Sequence, residues 1–286
     1  MLFRIVNIIR RELGSLVLET MRRRHVTGIG EKNARKSTAD TTSDRKYDDT
    51  TNSDDSNVDE QDIDPHSWYC YKRPKPLMRG VLHVLMVCVS PLWWTPMLRL
   101  CKTSEAKASV ILSLMAKTAL FLTSGAFHQG SWTFQQEKLV YRFDTAAISG
   151  MIAYSIAPIY ALLVPEGWTF IAVSTLCAAI SAGLAFLDVS KNLRVASYLL
   201  QGGVSTYPLL SATLTLFEMH CLAMCGVFYV SGAMIYAREN PEFFPKIFGY
   251  HEIWHLHVVL AAMASYAANV SVLLRAQGGE HHFSSE

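Results

Sequence analysis

The sequence predicts an all-α membrane protein: a seven-transmembrane-helix bundle with a disordered N-terminal cytoplasmic tail. Three observations carry this expectation. Half of the 286 residues are hydrophobic, 17% are charged, and the mean hydropathy is +0.18, whereas soluble domains carry about 25% charged residues. The charge is unevenly placed, with residues 1–80 holding 15 of the 26 Lys and Arg and 13 of the 24 Asp and Glu. The rest of the chain divides into apolar stretches of about 20 residues, the length one bilayer crossing needs. A conventional soluble enzyme, a nucleic-acid binder with a basic face and a disulfide-stapled secreted domain are all excluded by this pattern. The net charge of +2 sums two unlike parts and identifies no partner by itself.

Residues 1–72 form the expected tail. Its first stretch, LFRIVNIIRRELGSLVLETMRRR, alternates Ile5, Ile8, Ile9, Leu13, Leu16 and Val17 with arginines. That pattern suits an amphipathic helix on an anionic membrane, a transit peptide (against which Glu12 and Glu19 count), or a frayed tail. Ten acidic residues then fall between Asp40 and Asp64. So polar a segment cannot bury enough apolar surface to offset its ordering entropy, and disorder is expected.

Residues 73–286 form the expected membrane domain. The predicted spans are Leu77–Leu100, Ala106–His128, Leu139–Val164, Glu166–Asp188, Arg194–Phe217, Met219–Ala237 and Tyr250–Leu274. Short connectors such as KTSE, PEG, DVSKN and RENPEFFPK separate them. Backbone polar groups in lipid must bond internally, so each span is expected to be helical. With the N-terminus inside, the inner segments hold nine Lys and Arg against four outside, so the positive-inside rule puts the N-terminus in the cytoplasm and the C-terminus outside. The six Cys give no disulfide framework. Asn269-Val270-Ser271 has the form of a glycosylation sequon but lies within the last span, out of the modifying enzyme's reach.

Ionisable groups within spans are costly and therefore candidates for function. Ser124 and His128 lie four apart at the end of the second span and share a helical face. Asp144 lies just inside the third span. His251 and His255 open the seventh, again four apart, a recurrent metal-binding spacing. The orientation brings all five to one depth at the cytoplasmic face. Three imidazoles with an open fourth position make a catalytic zinc arrangement. Zinc lowers the pKa of its water to about 7, and a neighbouring carboxylate can orient that water or take its proton. Lys117, near the middle of the second span, shares the face of Ser124 and His128, about 16 Å from His128 along the axis. Its ammonium is expected either to attract a lipid carboxylate or headgroup, or to snorkel or pair with a backbone carbonyl. His83, His220 and His257 are expected to be structural.

These motifs resemble the hemolysin III family and the related progestin and adipoQ receptors. The matching pattern is Ser124-x-x-x-His128, Asp144 and His251-x-x-x-His255, with FGYHEIWHLHV (248–258) close to the family's last helix and RPKPLMRGVLHV (73–84) to its first. The resemblance spans about residues 73–275. It implies a zinc ion on His128, His251 and His255, with Asp144 holding the zinc water and Ser124 supporting the site. It also implies kinship with seven-helix membrane hydrolases that include alkaline ceramidases. Thr145 stands where His or Tyr is common in the family, and Phe127 where Tyr is common, so two polar groups beside the site are lost.

The function expected is zinc-dependent hydrolysis of a lipid amide or ester, with a lipid and the membrane as partners and no nucleic acid. The alternative is a membrane receptor, or a structural or pore-forming protein, in which zinc stabilises the bundle and Asp144 serves as fourth ligand. Two other mechanisms are open to the same residues. HEIWH satisfies the metalloprotease pattern with Glu252 as base, and Ser124, His128 and Asp144 could form a serine-hydrolase triad.

Overall fold

The computed structural model describes residues 76–187, 189–244 and 246–283, with side chains described as far as residue 276. Every described residue lies in one compact unit. The expected tail, its amphipathic start and Cys70 lie outside the described residues. Within them the protein is all-helical, apart from an isolated bridge between Phe244 and Phe248.

The helices are α1 (Val81–Cys88), α2 (Ser90–Arg99), α3 (Ser104–Gln129), α4 (Phe134–Tyr154), α5 (Ala157–Leu163), α6 (Gly167–Phe186), α7 (Lys191–Thr206), α8 (Leu216–Arg238) and α9 (Tyr250–Phe283). The starts of α3, α4 and α8 follow capping chemistry. The Thr103 hydroxyl accepts from the Ala106 amide at 3.1 Å, and Thr133–Gln136 and Thr215–Glu218 form reciprocal capping boxes. Between α5 and α6, Gly167 packs so tightly that a Cβ there would fall 1.9 Å from the Tyr160 carbonyl oxygen.

Five segments are long and apolar enough to cross a membrane: Ser104–Gln129, Phe134–Leu163, Gly167–Phe186, Leu216–Arg238 and Tyr250–Ala276. The α1–α2 pair makes a sixth if its 44° bend is counted within one span. The count is thus five or six rather than a clear seven. The segment that falls short is the expected fifth span, Arg194–Phe217. Its helix begins earlier, at Lys191, stops at Thr206 and passes into a 3-10 turn over Tyr207–Ser211. Sixteen helical residues reach about 24 Å, short of the roughly 30 Å of hydrocarbon. Pro208 has no amide with which to continue the ladder.

Large apolar side chains such as Leu176, Ile180, Leu200, Leu210 and Met263 face outward. Inside, Ala261, Ala262, Ser265 and Ala268 on α9 are buried. Small residues let helix backbones approach closely in lipid, where packing rather than hydrophobicity holds helices together. One core gathers Met97, Val110, Leu114, Phe121, Met151 and Val258; the other gathers Ile156, Ile159, Tyr160, Val164, Ile171 and Val272.

The break between α4 and α5 accounts for Lys117. Pro158 has no amide and the Ile159 amide turns back to Ile156, so the Ser155 carbonyl is open to side-chain donors. It accepts from Lys117 Nζ at 2.8 Å, Asn269 Nδ2 at 2.8 Å and Ser113 Oγ at 3.0 Å. Lys117 Nζ also donates to Ser113 Oγ at 2.7 Å. Asn269, the sequon residue, is wholly buried in this network. Cys88, Cys101, Cys177, Cys221 and Cys225 are free thiols.

Candidate metal centre

The three expected ligands meet. His128 near the end of α3 and His251 and His255 on the first turns of α9 are all buried, and their ligand atoms lie within 4.8 Å of one another. His128 Nε2 and His251 Nε2 face each other at 3.1 Å. The rings of His251 and His255 are 4.6 Å apart, and those of His128 and His255 5.0 Å. Zn–N bonds of about 2.0–2.1 Å set two ligand nitrogens of a tetrahedral ion roughly 3.3–3.4 Å apart, which the observed separations bracket. His255 Nδ1 is buried with no hydrogen-bond partner, the state of a nitrogen that lacks its ligand. The donor set therefore fits a zinc ion.

The local backbone is built for this approach. The Leu77 and Met78 amides donate to the Lys246 and Ile247 carbonyls at 3.0 and 3.1 Å, tying the entry of α1 to the α8–α9 connection. Gly80 caps α1 with φ +78°, and a Cβ there would fall 2.5 Å from His128 Cβ. Gly80→Ala is therefore expected to cost about 1–2 kcal/mol for the left-handed backbone alone. It should also push His128 away from His251, and a thermal melt in detergent checks the stability loss.

The Glu252 carboxylate has partners of its own away from the histidine cluster. One carboxylate oxygen pairs with Arg79 Nε and the other accepts from the Gly249 amide at 2.8 Å. Arg79 is buried, and its carbonyl accepts from Gln129 Nε2, the residue after His128. The HEIWH pattern is thus divided: its histidines join the cluster, while its glutamate caps α9 and anchors it to α1.

Asp144 and Ser124 both line a cavity of about 420 Å³ together with His83, His251 and His255. Ser124 and Asp144 are neighbours on this lining. The cavity follows α4 from Tyr141 to Ile152, about 17 Å of helix, and reaches Ser155 and Ile156 at the break beyond it. Asp144, Lys191 and Arg194 lie among its polar lining, and Ile148, Met151, Leu222 and Val258 among its apolar lining. Arg194 donates to the Tyr141 hydroxyl at 2.8 Å. Lys117 is absent from this lining, its ammonium held by Ser155 and Ser113. At the positions that depart from the resembling family, Phe127 packs on His128 at 4.5 Å, and the Thr145 carbonyl accepts from the Tyr198 hydroxyl at 2.9 Å.

His220 and His257 are each bonded through Nδ1 to the carbonyl four residues back, at 2.7 and 2.8 Å. His83 differs. It stacks on His255 and lines the cavity. The depth argument that gathered the other histidines could have found it, because it lies within two turns of the cytoplasmic start expected for the first span. Arg79 is similarly legible as the cation at that start. What sequence does not carry is their partners.

A family model described as haemolysin-III related matches residues 71–266, more than two thirds of the chain. The match includes every residue of the histidine cluster and its cavity named above.

Proposed function

The chain belongs to the haemolysin-III-related family, and on that footing we propose that it is a zinc-dependent membrane hydrolase of a lipid amide or ester. The observation that carries this reading is the convergence of three buried histidines on one wall of an otherwise largely apolar cavity that also presents Asp144 and Ser124. His128, His251 and His255 hold the ion. Zinc so bound supplies a Lewis acid for a carbonyl and a source of hydroxide near neutral pH. Asp144 takes and returns the proton, Ser124 orients its carboxyl, and the apolar lining excludes water and receives the acyl chain.

In this reading the bent α1–α2 pair is the first crossing, and α7 with its 3-10 turn is the fifth. That gives seven crossings, with the N-terminus and the zinc site on the cytoplasmic side. The ligand-attracting role of Lys117 remains a separate proposal, since its ammonium is held outside the cavity lining.

Metal analysis of the purified protein tests the central step. Wild-type protein is expected to carry about one zinc per chain, the stoichiometry of a three-histidine site. His128→Ala and His251→Ala are each expected to lose it. Unchanged zinc content in both variants sinks the proposal.

A further inference from the structure

His83 is 2% exposed, and neither of its ring nitrogens has a partner in good hydrogen-bond geometry, the His255 backbone being its polar neighbour. Buried polar groups are ordinarily paired, and one that is not calls for an explanation such as an absent ligand. Its ring lies nearly parallel on His255, with centroids 4.0 Å apart and 15° between planes, and it tilts against Phe121 at 5.1 Å. It does not join the metal-capable group. It does line the cavity beside Ser124, Asp144, His251 and His255.

An acyl carbonyl placed at this end of the cavity needs a hydrogen-bond donor. Asp144 offers acceptors; among the lining donors buried without a partner are His83 and the Tyr229 hydroxyl, and His83 is the one stacked on a metal-capable histidine. A neutral imidazole has one donor and one acceptor, so His83 supplies the missing N–H. We propose that His83 is a ligand-binding histidine that hydrogen-bonds the carbonyl oxygen of a lipid amide or ester held in the cavity. This inference rests on the substrate class proposed above.

The test is a binding measurement on zinc-loaded Asp144→Asn protein, in which nothing is turned over. The probes are palmitoylethanolamide and 2-(hexadecyloxy)ethanol, which share a long chain and a hydroxyl head but differ in the carbonyl. Adding His83→Phe, which keeps a stacking ring, is expected to weaken amide binding about tenfold, the usual worth of one hydrogen bond. It should leave ether binding, zinc content and thermal stability intact. His83→Asn, which restores a donor, is expected to recover most of the amide affinity. Unchanged amide binding, an equal loss for both probes, or a loss of zinc in His83→Phe overturns the assignment of His83 alone. Failure of the parent protein to bind either probe overturns the lipid-site reading and this inference with it.

Discussion

Replacing Asp144 with Asn is expected to cut hydrolysis of a lipid amide by about 100-fold or more, the usual share of a general acid–base group, while zinc content stays at the wild-type level. The amide keeps the carboxylate's shape and its place beside Ser124 but cannot take a proton. The paired readout separates three mechanisms. If Asp144 were a fourth ligand in a structural site, its loss would lower zinc content. If Ser124 were the nucleophile, Ser124→Ala would be inactive and chelators would have no effect. In the proposed mechanism Ser124→Ala retains part of its turnover and chelation abolishes it. Turnover in a chelator-treated sample and in Asp144→Asn, measured beside metal analysis, decides among them.

Arg79→Met is expected to destabilise the protein by about 3–5 kcal/mol, because it strands the buried Glu252 carboxylate. Glu252→Gln should do similar damage by stranding Arg79. The double variant Arg79→Met/Glu252→Gln is expected to lose less than the sum of the two, since removing both charges removes the uncompensated one. A double-mutant cycle of denaturant or thermal unfolding in detergent measures this coupling. Glu252→Gln that still folds should keep most of its turnover, because its carboxylate meets Arg79 and the Gly249 amide rather than the histidines. A protease-like mechanism predicts the opposite.

The site was more legible in the sequence than the helix count. The i,i+4 pairs Ser124/His128 and His251/His255 are local geometry, and positive-inside orientation turned them into a common depth. Asp144 entered by the same arithmetic. The role of Glu252 was not legible, because its partner Arg79 lies 173 residues away and the HEIWH spacing alone assigns it to chemistry. His83 has no i,i+4 companion in the sequence, and its stacking on His255 is a fact of packing. The expected fifth span was legible as an apolar stretch but not as a helix of only sixteen residues, because hydropathy does not register where Pro208 ends the ladder. The break at Ser155 was likewise hidden, although it explains how a lysine is accommodated amid apolar helices.

The backbone bonds that join the α1 entry to the α8–α9 connection have a consequence for biogenesis. His128 and His251 are 123 residues apart, and Arg79 and Glu252 further still. Every earlier helix can enter the bilayer while its half of the cluster has nothing to meet. Only when the ribosome has delivered residues 249–255 do the glycine cap, the ion pair and the last two imidazoles come together. Under the proposed function, metal loading becomes a finishing step of membrane insertion, and a nascent chain arrested before α9 is expected to leave the translocon empty of zinc.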